Sequence, residues 1–115
     1  MDLKALEELA EKLKVARDNE YELTKSVILA SRTLENAKVE VVELAHANGE
    51  IDSSMKVAQI KTAEEYILNN SPAIDNAVKE LQMHKDAQSA AINVRKYLED
   101  LVSLTKAWLY SQKEE

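Results

Sequence analysis

The chain of 115 residues has no cysteine, no phenylalanine, one glycine (Gly49) and one proline (Pro72). A β-sandwich or barrel needs turn residues every eight to twelve positions, and an α/β fold needs glycines after its strands, so both classes are excluded. The absence of cysteine removes disulfides, thiolate metal sites and cysteine nucleophiles together, and fits a reducing, cytoplasmic setting. Long hydrophobic runs are also missing, which excludes a transmembrane span, and the charged opening Met1-Asp-Leu-Lys4 is unlike a signal peptide. Nor is there an excess of basic charge. With 15 Lys+Arg against 21 Asp+Glu and a net charge of −6, the chain lacks the clustered cations that neutralise nucleic-acid phosphates.

What is present is apolar periodicity. The 45% hydrophobic content argues against disorder, and with so few breakers the elements must be long helices. Leu6, Leu9, Leu13, Ala16, Glu20, Leu23, Val27, Ala30, Leu34, Ala37, Val41 and Leu44 follow an unbroken 3-4 spacing. That repeat predicts one helix over about residues 2–48 with a coiled-coil seam, ended at Gly49 by a left-handed cap. Ser71-Pro72 reads as an N-cap followed by proline at the first helical position, with Asp75 favouring the helix dipole, so a second long helix is expected over about 72–112. Its apolar positions fall into two sets, Ile74, Val78 and Leu81, then Ala87, Ala91, Val94, Leu98, Leu101, Thr105 and Trp108. The sets are out of phase, which predicts a local irregularity at residues 82–86.

Between the long helices, Asp52-Ser53-Ser54 is a cap signal, and Met55, Ala58, Ala63, Tyr66 and Ile67 predict a short amphipathic helix over about 54–68. The fold class is therefore all-α: a single elongated domain over 1–115, built as a long antiparallel helical hairpin with the short helix over its tip. An up-down-up three-helix bundle is the alternative. The hairpin is preferred because its two long helices match in length, and small seam residues at Ala16, Ala30 and Ala37 let helices approach closely.

Candidate chemistry is sparse. Glu43-Leu-Ala-His46 has the Glu-x-x-His spacing of carboxylate-bridged di-iron bundles, but that site needs two such motifs and two further glutamates. His46 sits in the last turn before Gly49, where the helix dipole favours a cation. Glu20, the one charged seam position, is expected to reach solvent. His84 falls at the phase slip, where it is expected to be half-exposed. The serines have no base at motif spacing, no glycine loop cradles a phosphate, and a hairpin offers no deep pocket, so the chain reads as a non-enzyme without cofactor or metal.

The informative segment is the C-terminal end, where Leu98, Leu101, Val102, Leu104, Trp108, Leu109 and Tyr110 spread round more of the helix than one seam can bury. They form the candidate interaction surface. The first expectation for it is a homodimer with a four-helix core. The second is another protein held by Trp108 and Tyr110, since Trp and Tyr dominate interface hot spots.

Leu44-Ala-His-Ala-Asn-Gly49, Tyr66-Ile-Leu-Asn-Asn-Ser-Pro72 and Val94-Arg-Lys-Tyr-Leu-Glu-Asp-Leu101 together resemble small uncharacterised helical-hairpin proteins of tailed bacteriophages and prophages. The resemblance is architectural, covers most of the chain and carries no functional residues. It implies an accessory role, for which the partner of Trp108 and Tyr110 would be a host or phage protein. The alternative function is inhibition of a host defence or replication enzyme, with acidic helices occupying a basic nucleic-acid groove.

Overall fold

The computed structural model describes residues 2–114 and is all-helical among them: α1 (Leu3–Ala47), α2 (Val57–Asn69) and α3 (Pro72–Glu114). Helices α1 and α3 pack as an antiparallel hairpin, joined through α2. The direction is fixed by paired residues: Arg17 meets Glu99, Glu20 meets Arg95 and Thr24 meets Gln88, so one number rises as the other falls. None of these helices is long and apolar enough to cross a membrane.

Both breakers act where their backbone chemistry requires. At the end of α1, Gly49 adopts φ +76°, its N–H donates to the His46 carbonyl at 3.2 Å, and the Glu50 N–H reaches back to the Ala45 carbonyl at 2.9 Å. This pair of bonds is the Schellman motif, which satisfies carbonyls the helix end leaves open. Directly after it, Ile51 is only 2% exposed. At the start of α3, the Ser71 hydroxyl accepts from the Ile74 N–H at 3.4 Å, and Pro72 occupies the position whose missing N–H costs nothing.

The short helix begins three residues later than the cap signal predicts. Asp52 uses its carboxylate on Ser54 instead, accepting from the Ser54 N–H at 2.9 Å and its hydroxyl at 2.8 Å. Those two donors hold the Asp52 carboxyl below its ordinary range. The resulting turn hands the chain to Lys56, whose N–H is taken by the Gln59 side chain at 3.2 Å. The Gln59 N–H donates in turn to the Lys56 backbone carbonyl at 2.9 Å, and α2 starts from this turn.

The chain divides into two compact units, Met1–Ser26 with Lys85–Glu115, and Val27–His84. In the first, Leu13 and Ala16 of α1 and Ala91, Val102 and Thr105 of α3 are buried. In the second, the buried set is Leu34, Ala45, Ile51 and Ile74, and α2 is tied to α1 by His46 Nε2 and Glu64 Oε1 at 2.9 Å.

Two expectations about the seams need correction. On α1 the buried residue after Val41 is Ala45, 3% exposed, while Leu44 is 61% exposed. A straight α-helix drifts about 20° per heptad from an exact 3.5 repeat, so after five heptads a four-residue step replaces a three-residue one. On α3 there is no irregularity at residues 82–86, which lie inside continuous helix. The less exposed positions run Ile74, Ala77, Leu81, His84, Gln88, Ala91, Arg95, Leu98, Val102, Thr105 and Leu109 without a slip. The apparent phase change came from polar residues holding seam positions.

Candidate interaction surface

The first unit contains an unusually polar stretch of seam. Arg95 presents Nε and Nη2 to the two carboxylate oxygens of Glu20, with Nη2 3.3 Å from Oε1. This forked geometry is the strongest arrangement available to an Arg–carboxylate pair. Its Nη1 donates to both Glu99 oxygens, at 3.1 and 3.2 Å, and Arg17 approaches Glu99 at 3.4 Å. One turn further along, Gln88 donates to the Thr24 hydroxyl at 3.1 Å, and that hydroxyl donates to the Glu20 carbonyl at 2.8 Å. Glu20 is thus half-buried and paired, not directed to solvent as its position alone implied. Hydrogen bonds from Glu20 first and Glu99 second raise the Arg95 guanidinium further above its ordinary range, and Arg95 holds the Glu99 carboxyl below its own.

With Arg95 and Gln88 committed to the inner seam, a second apolar row is left on α3: Ala87, Ala90, Val94, Tyr97, Leu101, Leu104 and Trp108. The spacing is 3-4-3-4-3-4, a full heptad pattern. From Ala90 onward each member immediately precedes an inner-seam residue, as in Val94 and Arg95, Leu101 and Val102, or Trp108 and Leu109. One residue is about 100° of helix rotation, so the two rows lie side by side with the second facing outward. Leu104 is 63% exposed and Trp108 42%, and Val94 and Tyr97 are also exposed.

The seven residues singled out from sequence divide between faces. Leu98, Val102 and Leu109 belong to the inner seam, with Val102 buried. Leu101, Leu104 and Trp108 lie on the outer row. Tyr110 lies on the opposite flank, in an open groove of about 450 Å³ shared with Leu3, Leu6 and Leu109. Four outer-row members, Ala87, Ala90, Val94 and Tyr97, were not in the candidate surface. Read from sequence, Ala87 and Val94 belong to the seam and Ala90 and Tyr97 to no apolar set, although their spacing carries the signal.

The two candidate histidines each face a single carboxylate. His46 is paired with Glu64, across 18 residues, and not with Glu43. His84 approaches Glu80 on its own helix at 4.0 Å. Among the described residues, no three His, Cys, Asp or Glu side chains come together as a metal site. A wide groove in the second unit, about 670 Å³, is lined by Ala58, Ala63, Tyr66 and Ile67 with Gln59, Thr62 and Glu50. No family model matches the chain, and no curated protein or solved structure is similar to it.

Proposed function

We propose that the chain is a non-enzymatic helical interaction protein that works by protein–protein contact, with the outer row of α3 as its working surface. The observation that carries this reading is the complete heptad from Ala87 to Trp108 on a face the hairpin does not cover. Isolated exposed apolar residues are ordinary on a protein surface, but six exposed ones at coiled-coil spacing, with half-buried Leu101 among them, have the pattern of a seam that lacks its second helix. Tyr97 and Trp108 supply the large amphipathic anchors that dominate helical interfaces. The lack of cysteine supports action in a reducing, cytoplasmic compartment. The resemblance to phage hairpin proteins supports an accessory role.

The test is a capture experiment with the wild-type chain and Leu104→Glu side by side at low and high salt. Retention of a bound protein at high salt by wild type, and its loss from the variant, is the expected result. Binding that collapses with salt and ignores Leu104→Glu refutes this reading in favour of the acidic inhibitor of a nucleic-acid-binding enzyme.

A further inference from the structure

We infer that the occupant of the outer row is the same row of a second copy, running antiparallel. This rests on the reading of that face as the working surface and adds the partner and its direction. The argument is a size gradient along the helix. The row begins with alanine at 87 and 90, continues through Val94 and Tyr97, and ends with Leu101, Leu104 and Trp108.

Helices pack at about 8–10 Å, with the spacing set by the side chains in each layer. A parallel pair would stack Ala90 on Ala90 and Trp108 on Trp108, requiring close axes at one end and distant axes at the other. An antiparallel pair cancels the gradient. Antiparallel heptads place the first core position of one helix opposite the second of its partner. In the register that keeps residues 90–108 in contact, Trp108 meets Ala90, Leu104 meets Val94, and Leu101 meets Tyr97. Each layer then combines a larger with a smaller side chain, as close packing requires.

The exposed parts of Val94, Tyr97, Leu104 and Trp108 (52%, 62%, 63% and 42%) amount to roughly 450 Å² per copy, about 900 Å² for the pair, which is the size of a small, reversible interface and places dimerisation in the micromolar range. The two-fold axis passes near residue 99. Asp100 flanks the row there, so the copies bring like charges together, and each carries a net charge of −6. Added salt therefore tightens this dimer by screening repulsion.

Sedimentation equilibrium at tens of micromolar is expected to give twice the 12.9 kDa chain mass, with the dimer fraction rising as salt is added. Leu104→Glu, a change at an exposed site, is expected to give the single-chain mass with an unchanged helical circular dichroism spectrum. Direction is read by oxidation of single-cysteine variants, since the natural chain has no cysteine. Two copies of position 94 lie about 15 Å apart in this register, beyond disulfide reach, whereas 94 faces 104. Val94→Cys and Leu104→Cys should therefore crosslink when mixed and not when alone. Crosslinking of each variant alone establishes a parallel pair and overturns the proposed direction. A wild-type monomer across the salt range overturns the second-copy occupant alone. A dimer unaffected by Leu104→Glu overturns both this inference and the assignment of the outer row as the working surface.

Discussion

Ile51 is expected to be the most sensitive single position in the connection between the long helices. It belongs to no helix, yet it is 2% exposed and follows directly on the Gly49 cap. Ile51→Ala removes three carbons, about 2.4 kcal/mol of transfer energy at roughly 0.8 kcal/mol each. The cavity left behind adds to that, and buried Ile→Ala substitutions span about 2–5 kcal/mol, so about 3 kcal/mol is expected. With an unfolding entropy of about 2.1 cal/mol/K per residue, that loss lowers the melting temperature by roughly 12 °C. Ile51→Val should cost about 1 kcal/mol. Val57→Ala, six residues away at 83% exposure, should change stability by less than about 0.5 kcal/mol. Urea titrations followed at 222 nm, with equal slopes among the variants, give the comparison directly. An Ile51→Ala midpoint equal to that of Val57→Ala would refute the reasoning, because the connection would then not be seated in the core.

Gly49→Ala is expected to destabilise by about 1 kcal/mol in the same titration. Nothing lies within 4 Å of an added Cβ, so the cost is conformational and Gly49→Asn should recover part of it. In the seam, Arg95→Leu alone leaves the half-buried Glu20 carboxylate without its forked partner and should lower the denaturation midpoint. Glu20→Leu combined with Arg95→Leu continues the apolar heptad and should restore or exceed the wild-type value, as replacement of partly buried ion pairs often does. For Glu99, the folded-state carboxyl is held below its unfolded value by Arg95. Its stabilising contribution is therefore complete above the ordinary carboxylate range and lost as pH falls through the lowered folded value. Thermal melts of wild type and Glu99→Gln should differ at neutral pH and converge in acid. A constant difference would refute the assignment.

The arrangement of helices was legible in the sequence because the two breakers stand at the two long-helix boundaries. Gly49 had to take the left-handed cap, and Ser71-Pro72 had to begin a helix, so the lengths and hairpin order followed from backbone chemistry. The seam of α3 was not legible from hydrophobicity. Arg95, Gln88 and His84 hold inner positions, while Val94, Leu101 and Trp108 stand one residue away on the outer row, so counting apolar residues alternated between the two rows. The missing information lay across the hairpin. Once α1 and α3 are antiparallel about the connection, Glu20 falls opposite Arg95 and Thr24 opposite Gln88, and a polar residue on one helix predicts its complement on the other. The outer apolar row was half legible for the same reason. The excess of apolar residues was visible, but its division between two rows needed the polar partners to be placed first.

The two rows of α3 also separate residues that hold the hairpin together from residues that face solvent. Inner residues such as Ala91 and Val102 cannot change size without disturbing the hairpin, whereas Leu104 and Trp108 can change with little effect on its folding. Variation can therefore accumulate on the outer face while the scaffold stays the same. A helix built in this way can acquire a new specificity without first becoming unstable.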